Sequence, residues 1–288
     1  MNKIDTQMLE EVSEIIQKLR DECPLTHCIT NYVTINDCAN AVLAIGGSPA
    51  MADTSPEIAE FVQIAGATIV NIGTLFEDQI KSMEIAAEET KKTNTPFVLD
   101  PVAVGVSQIR NEATKNIIDK SDVSIIRGNI SEIKTVAKFY DVTEESTKSK
   151  GVDAADSDII TRDNIAKNVE LAKNLAKKLN TVIDISGELD IISDGENSYV
   201  IDNGDAMMPK ITGSGCMLTC ILGAFAAVSN PLEAAIIGSL SLAIAGELAA
   251  KTTKDNNQGT GSFRAYLIDE LYKMDKETII KYGKLYKY

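Results

Sequence analysis

A glycine-rich segment late in the chain combines residue types that can bind an anion and activate a hydroxyl group. Thr212-Gly213-Ser214-Gly215 comes directly before Cys216 and an apolar stretch of small residues. Glycines let the backbone approach a ligand closely, and the first N–H groups of a helix have no partner within it. With the helix dipole behind them, these groups form an anion hole. The segment therefore indicates either a phosphate site or a plain glycine turn before a core helix.

Several other kinds of site have no support in the sequence. No Gly-x-x-x-x-Gly-Lys-Ser/Thr segment occurs, so the glycine-rich segment is not a Walker loop. A Gly-x-Gly-x-x-Gly segment after a first strand is also missing, which disfavours a nicotinamide site of the Rossmann type. His27 is the single histidine, so most Ser-His-Asp and Cys-His mechanisms are excluded.

The cysteines predict reduced thiols in the cytoplasm, because their number is odd and no secretion signal precedes them. A zinc site at Cys23, His27 and Cys28 would need a fourth ligand from afar, whereas zinc sites usually repeat a Cys or His pair. We therefore expect buried or partly buried thiols. Cys216 would lie in the first turn of a helix, where the pKa of a thiol tends to fall. The five cysteines are Cys23, Cys28, Cys38, Cys216 and Cys220.

The net charge of the chain limits the classes of partner that it can bind. Its 288 residues contain 28 Lys and Arg against 42 Asp and Glu, a formal net charge of -14. This acidity argues against nucleic acid or an anionic membrane surface as the main partner. A nucleotide is still allowed, because backbone N–H groups and one or two basic residues supply enough local positive potential. The apolar stretch from Ala234 to Ala250 is interrupted by glycine, serine and glutamate, so we expect a buried helix and not a membrane span.

Short apolar strands alternate with amphipathic helices along the first two thirds of the chain. This alternation is typical of an α/β fold with a mainly parallel central sheet and helices on both faces. The carboxyl ends of such strands face the ligand crevice. Polar residues lie there: Asn71, Asp100, Arg127, Asn129 and Ser186. The strands are expected at Thr68–Ile72, Pro96–Leu99, Val123–Ile126 and Thr181–Ile185.

The helices and the end of the sheet can also be assigned. We expect helices at Pro56–Ala65, capped by Ser55, and at Phe76–Thr93 and Arg162–Leu179. Asp190–Ser193 and Asn197–Ile201 flank a glycine turn and predict a hairpin, so the sheet should end in antiparallel strands. A long apolar helical region should follow over Cys216–Lys251. Thr143–Ser157 is polar and predicts a surface loop, so residues 1–288 are interpreted as one domain.

Beyond these patterns, the chain resembles the hydroxyethylthiazole kinases, thiamine-salvage enzymes of the ribokinase-like superfamily. The resemblance runs from about Pro24 to about Leu248, with the motifs in the family's order. They are Pro24-Leu25-Thr26-His27-Cys28-Ile29-Thr30-Asn31-Tyr32-Val33, Asn40, Ala44-Ile45-Gly46-Gly47-Ser48-Pro49-Ala50-Met51, Asn71-Ile72-Gly73-Thr74-Leu75, Leu99-Asp100-Pro101-Val102, Arg127-Gly128-Asn129-Ile130-Ser131-Glu132, Lys150-Gly151-Val152-Asp153, Ser186-Gly187-Glu188 and Thr212 to Cys216.

The resemblance implies a reaction and an assembly. In such kinases ATP transfers its γ-phosphate, with Mg²⁺, to the hydroxyl of 4-methyl-5-(2-hydroxyethyl)thiazole. A cytoplasmic homotrimer is expected, with the thiazole site at a subunit boundary. The resemblance also assigns roles to residues: Met51, Asn31 and Gly213 to the substrate pocket, Arg127 and Ser186 to the ATP phosphates, Asp100 and Glu132 to Mg²⁺, and Cys216 to the position of a catalytic base.

Two residues of the chain depart from the motifs of the family. Relatives usually continue Asp-Pro-Val with glycine, where this chain has Ala103, whose methyl group could crowd the backbone near the phosphates. Ser214 replaces the commoner threonine and keeps the hydroxyl.

The alternatives to a thiazole kinase are a kinase for a pyrimidine or pyridine alcohol, an ATP-dependent dehydratase of the same superfamily, and a non-catalytic binder. Cys216 disfavours the dehydratase, which keeps an aspartate there, and the retained Asp100, Arg127 and Glu132 disfavour the binder.

Overall fold

The computed structural model describes residues 3–143 and 160–288. Within them the strands form a nine-stranded sheet in the order β2-β1-β3-β4-β5-β6-β7-β8-β9. Neighbouring strands from β2 to β6 pair parallel, and those from β6 to β9 pair antiparallel. The strands are β1 (Leu25–Ile29), β2 (Ser48–Ala50), β3 (Ala67–Asn71), β4 (Phe97–Asp100), β5 (Ile125–Asn129), β6 (Val182–Ser186), β7 (Asp190–Ser193), β8 (Ser198–Ile201) and β9 (Leu285–Lys287).

Helices cover both faces of this sheet. Successive strand residues alternate between two buried clusters: Ile69 and Val98 pack in one, whereas Val70 and Leu99 pack in the other. The first cluster takes in α1–α3 and α9–α12, and the second takes in α4–α8. The helices are α1 (Thr6–Ser13), α2 (Ile15–Glu22), α3 (Ile35–Ile45), α4 (Ile58–Ile64), α5 (Glu77–Thr93), α6 (Gln108–Lys120), α7 (Ile130–Phe139), α8 (Ile165–Leu179), α9 (Ser214–Ala226), α10 (Pro231–Asp255), α11 (Thr260–Lys273) and α12 (Lys276–Tyr282).

The expected α/β architecture is confirmed, including the late hairpin and the polar residues at the carboxyl ends of the strands. The expected end of β5 is wrong. Arg127 and Asn129 are strand residues, because the ladder to β6 continues through the pairs Arg127–Asp184 and Asn129–Ser186. The extra pairing fixes Arg127 on rigid strand backbone and not in a loop.

The expected cap at Ser55 is also wrong. The helix α4 begins at Ile58, with Glu57 at its N-cap, and Ser55 Oγ instead donates a hydrogen bond to Asp78 Oδ1 at 2.8 Å. Ser55 therefore connects the turn before α4 to the first turn of α5. The polar loop expected at Thr143–Ser157 lies, after Thr143, outside the described residues, as does the motif at Lys150–Asp153.

The apolar region after the glycine-rich segment is two helices, α9 and α10. The chain breaks between them at Asn230-Pro231, since proline lacks an N–H group and favours the first helical turn. Asn230 Oδ1 caps α10 by accepting a hydrogen bond from the backbone N–H of Glu233 at 3.0 Å. By length and composition α10 could cross a membrane, but 78% of its apolar window is buried within the protein. It is the buried core helix that the sequence predicts.

Candidate active site

A row of polar side chains crosses four neighbouring parallel strands beneath α9 and α10. Asn71 pairs in register with Asp100, and Arg127 pairs in register with Asp184. Leu99 pairs with Ile126, which brings Asp100 level with Arg127. Each of the four lies two residues after a strand residue of the core cluster under α9, so all four point to that face.

Asp100 is the centre of this row and is fully buried. Its Oδ2 accepts hydrogen bonds from Asn71 Nδ2 and from Thr219 Oγ1 of α9, both at 2.8 Å. Arg127 Nη1 lies 3.6 Å from the same oxygen. Burial raises the pKa of the Asp100 carboxyl, and the charge of Arg127 opposes that rise. Asp100 Oδ1 has no hydrogen-bond partner among the described residues.

Arg127 connects Asp100 to the other proposed ATP residue. Its Nη2 donates a hydrogen bond of 2.5 Å to Ser186 Oγ on β6. The side chain lies against the start of α9, so closely that a methyl group added at Gly215 would be only 2.5 Å from Arg127 Nη1. About a tenth of the Arg127 side chain is exposed (12%), so a ligand at this end of α9 can reach the guanidinium.

Glu132 joins two loops and caps α7. Its Oε1 accepts the backbone N–H of Ala103 at 2.8 Å, and its Oε2 accepts that of Asn129 at 2.7 Å. In return, Asn129 Oδ1 accepts a hydrogen bond from the backbone N–H of Glu132, which completes a capping box. Burial, together with the charge of Asp100, raises the pKa of Glu132 to about 7. Both carboxylates assigned to Mg²⁺ are therefore brought to the same region of the site.

The loop after β4 has an unusual backbone at Ala103, the position where the family resemblance leads one to expect glycine. Ala103 has φ +58°, in the left-handed region that L residues other than glycine adopt at a cost. The hydrogen bond from its N–H group to Glu132 holds this conformation. Alanine in place of the expected glycine therefore disfavours this backbone conformation, and the hydrogen bond to Glu132 stabilises it.

Cys216 lies in the first turn of α9, next to Asn31. Asn31 Nδ2 is 3.2 Å from Cys216 Sγ and 3.0 Å from Asn71 Oδ1, so Asn31 links the thiol to the polar row. The expected lowering of the thiol pKa is wrong. Burial, and after it the charge of Asp100, raises the pKa of Cys216 to about 11. The helix start does not compensate for the loss of water around the sulfur.

Gly213 is the N-cap of α9 and has φ +86°. A methyl group at this position would lie 2.5 Å from Thr34 Cγ2, in the turn between β1 and α3. Glycine is therefore required both by the backbone conformation and by the close approach of Thr34. The first N–H groups of α9 open beside Arg127, as an anion hole requires.

Met51 lies directly after the edge strand β2, half-buried against the core cluster under α9. The segment that carries it is held by His27, whose Nε2 is 2.9 Å from the carbonyl oxygen of Ala52. Burial lowers the pKa of His27, and the ring stacks on Phe61, so this histidine is structural. Met51 thus lies on the β1–β2 side of the sheet, apart from the polar row.

Within residues 3–143 and 160–288, no three His, Cys, Asp or Glu side chains lie in an arrangement that could hold a metal ion. Cys28, Cys38 and Cys220 are buried and Cys216 is partly buried, as expected. Cys23 is exposed, contrary to expectation, because it ends α2 in a left-handed turn with φ +42°.

Arg110 is a site-supporting residue that the sequence analysis missed. Its Nη1 donates hydrogen bonds to the carbonyl oxygens of Ile72 and Val102 at 2.6 and 2.8 Å, and its Nη2 donates one to Gly73 at 2.8 Å. The side chain thus ties the loop after β3 to the loop after β4. Its partners are main-chain carbonyls, so no charge pattern in the sequence marks it.

Comparison with known proteins identifies the family of this chain. The model of the hydroxyethylthiazole kinase family matches residues 16–277. Hydroxyethylthiazole kinase 2 of Methanosphaera stadtmanae is 65% identical over 280 residues, which are 97% of this chain and 99% of that protein.

Solved structures agree with this match. The structure of a hydroxyethylthiazole kinase protein from Pyrococcus horikoshii superposes with a TM-score of 0.84 at 31% identity, covering 97% of this chain and 99% of that one. A ribokinase-like superfamily protein from Enterococcus faecalis superposes with a TM-score of 0.60 at 12% identity, covering 95% and 96%, and shares the ribokinase-like fold. These matches show that the chain belongs to the hydroxyethylthiazole kinase family.

Proposed function

We propose that this protein transfers the γ-phosphate of ATP to the hydroxyl of 4-methyl-5-(2-hydroxyethyl)thiazole, as a single kinase domain over residues 1–288 in the cytoplasm. The observation that carries the proposal is the contact of Arg127 with both Ser186 and Asp100 at the start of α9. Phosphoryl transfer depends mainly on alignment and charge neutralisation. A guanidinium between a hydroxyl and a carboxylate at a helix N-terminus supplies both.

The test of acceptor choice is a comparison of kcat/KM for ATP-dependent phosphorylation of thiazole, pyrimidine and pyridine alcohols. We expect the thiazole alcohol to give the highest value, because the half-buried Met51 offers a soft, polarisable wall for a sulfur-containing ring. A higher value for a pyrimidine or pyridine alcohol would move the proposal to that acceptor class. No transfer to any acceptor would reject the kinase assignment.

The acidic residues fit a Mg²⁺ ion. Asp100 Oδ1 is a buried carboxylate oxygen that the described residues leave without a hydrogen bond. Mg²⁺ prefers such oxygen ligands and usually takes one or two carboxylates together with phosphate oxygens. When bound, the ion would neutralise charge on the transferred phosphate. Asp100 and Glu132 would hold it, and the backbone bonds of Glu132 keep its carboxylate oriented.

The protein groups divide between the two substrates. Arg127, Ser186 and the first N–H groups of α9 would hold the ATP phosphates. Asn31, Met51 and Gly213 would border the acceptor, whose hydroxyl would then lie near Cys216. In a loose transition state little deprotonation of the alcohol is needed early. Cys216 is the proposed base for the proton that leaves the hydroxyl later.

Replacing Arg127 with alanine is expected to raise the KM for ATP by about 10- to 100-fold, the equivalent of losing charge-assisted hydrogen bonds worth about 1.5–3 kcal/mol. Affinity for the thiazole alcohol, measured by calorimetry without nucleotide, should change little, because Arg127 contacts Ser186 and Asp100 on the phosphate side. Equal weakening of both ligands would indicate general damage to the fold.

We also propose a homotrimer with the acceptor site at a subunit boundary. Tyr32, Val33 and Phe76 are exposed, at 52%, 64% and 52%, beside the candidate acceptor site. The rings of Tyr32 and Phe76 contact each other in a tilted arrangement, with centroids 5.4 Å apart, and the Tyr32 hydroxyl donates a hydrogen bond to Asp53, two residues after Met51. An apolar surface of this kind at the mouth of a site is suited to a second subunit.

Light scattering at working concentration should give three times the mass of the chain. Val33→Asp should reduce that mass by charging the surface, whereas Tyr272→Asp, at an exposed position on α11, should leave it unchanged. A fully active monomer of the unaltered protein would contradict both the trimer and a site shared between subunits.

A further inference from the structure

Asp184 is a fully buried carboxylate that the proposed reaction leaves without a role. It stands on β6, in register with Arg127 on β5. Its Oδ2 accepts a hydrogen bond of 2.9 Å from Ser239 Oγ on α10. Its Oδ1 lacks a hydrogen-bond partner in the part of the chain that the structure describes, and so does Arg127 Nε.

Such a carboxylate is costly unless a positive charge compensates it. One neutral hydroxyl, that of Ser239, is insufficient. Burial raises the pKa of Asp184 to about 6, and the largest influence opposing this rise is the charge of Arg127. Residues in register on adjacent parallel strands carry their side chains on the same face, about 4.8 Å apart at the backbone. Arg127 is therefore the partner that keeps Asp184 ionised near neutral pH.

The reverse effect, of Asp184 on Arg127, follows from the order of the strands. Arg127 stands between Asp100 on β4 and Asp184 on β6, so one guanidinium is attracted towards both flanks. Its ion pair with Asp100 is loose, at 3.6 Å, and its hydrogen bond to Ser186 is on the β6 side. Without the charge of Asp184, the remaining attraction would draw Arg127 towards Asp100 and away from Ser186.

We propose that Asp184, fixed by Ser239, is a positioning residue that holds Arg127 on Ser186, where the guanidinium can bind the phosphates of ATP. This inference rests on the proposed role of Arg127 in ATP binding. It assigns a function to a polar pair, Asp184 and Ser239, that joins the core helix α10 to the nucleotide side of the site.

The test uses variants of the whole protein and two readouts, the KM for ATP and the dissociation constant of ADP by calorimetry. Asp184→Asn keeps the shape and removes the charge, and we expect it to raise both constants by about tenfold, with the KM for the thiazole alcohol unchanged. Ser239→Ala should act in the same direction and less strongly. Ser241→Ala is the matched control, because Ser241 is a buried hydroxyl on the same helix without a hydrogen-bond partner among the described residues.

A double-mutant cycle separates positioning from a purely structural role. If Asp184 acts through Arg127, Asp184→Asn should add nothing to the effect of Arg127→Ala on ADP affinity. Full additivity, or a lower Tm with unchanged ADP affinity in Asp184→Asn, would overturn the inference. If Arg127→Ala itself leaves ADP affinity unchanged, the proposed nucleotide role of Arg127 fails and the inference fails with it. An effect of Arg127→Ala without one of Asp184→Asn would reject the inference alone.

Discussion

Replacing Asp100 with asparagine is expected to lower kcat by about 10²- to 10³-fold, the usual cost of losing a group that stabilises charge in the transition state. Asparagine can still accept hydrogen bonds from Asn71 and Thr219, which now bond to Asp100 Oδ2. The fold should therefore survive, but Tm should fall, because the buried guanidinium of Arg127 loses one of its charge partners. The measurement is kcat against Mg²⁺ concentration, together with thermal unfolding.

The Asp100 substitution is a cleaner test than Glu132→Gln. A glutamine amide would turn its NH₂ group towards one of the backbone N–H groups that Glu132 now accepts, so the cap of α7 would weaken by about 1 kcal/mol. Asp37→Asn provides a control, because Asp37 is a buried acid on α3 paired with Arg264. Near-normal turnover of both Asp100→Asn and Glu132→Gln at limiting Mg²⁺ would reject the metal assignment.

Changing pH should reveal whether Cys216 is the base. The thiolate is the basic form, and burial places the pKa of Cys216 at about 11, so a reaction that uses it should accelerate as pH rises towards that value. Below a pKa the deprotonated fraction grows tenfold per pH unit, so kcat should rise about 100-fold between pH 7 and pH 9. Cys216→Ser should be slow and flat over this range, since it lacks a group that titrates there.

Cys216→Asp completes the series. A carboxylate has an ordinary pKa of about 4, far below that of the buried thiol, so this variant should equal or exceed the parent at pH 7 and depend less on pH. Rates of Cys216→Ser that match the parent across the range would limit Cys216 to its contact with Asn31. Catalysis would then depend on the anion hole, Arg127 and Mg²⁺.

Much of the fold follows from local sequence patterns. Apolar strand runs with polar carboxyl ends predicted the parallel sheet and the edge at which Asn71, Asp100 and Arg127 meet. The glycine-rich segment predicted the helix start at α9, because Gly213 has a backbone conformation and a packing distance that favour glycine. These features depend on neighbours within a few residues, so the sequence displays them directly.

Features that depend on tertiary packing were missed or wrong. Arg110 binds carbonyl oxygens 8 to 38 residues away, and Asp184 meets Ser239 across 55 residues. The pKa of Cys216 was expected to fall, because its place at a helix start is visible in the sequence whereas its burial near Asp100 is not. Ser55 had the residue type of a cap, but a contact with Asp78 on the next helix determines its position.

If the protein transfers phosphate from ATP to a thiazole alcohol at the start of α9, both products must form together. The most direct measurement incubates the purified protein with Mg²⁺, ATP and 4-methyl-5-(2-hydroxyethyl)thiazole, and quantifies ADP and the phosphorylated alcohol by mass spectrometry. We predict equal amounts of the two products, with formation of both abolished by removing Mg²⁺ and reduced in parallel in Asp100→Asn. ATP hydrolysis without a phosphorylated alcohol, or product formation unaffected by loss of Mg²⁺, would contradict the account.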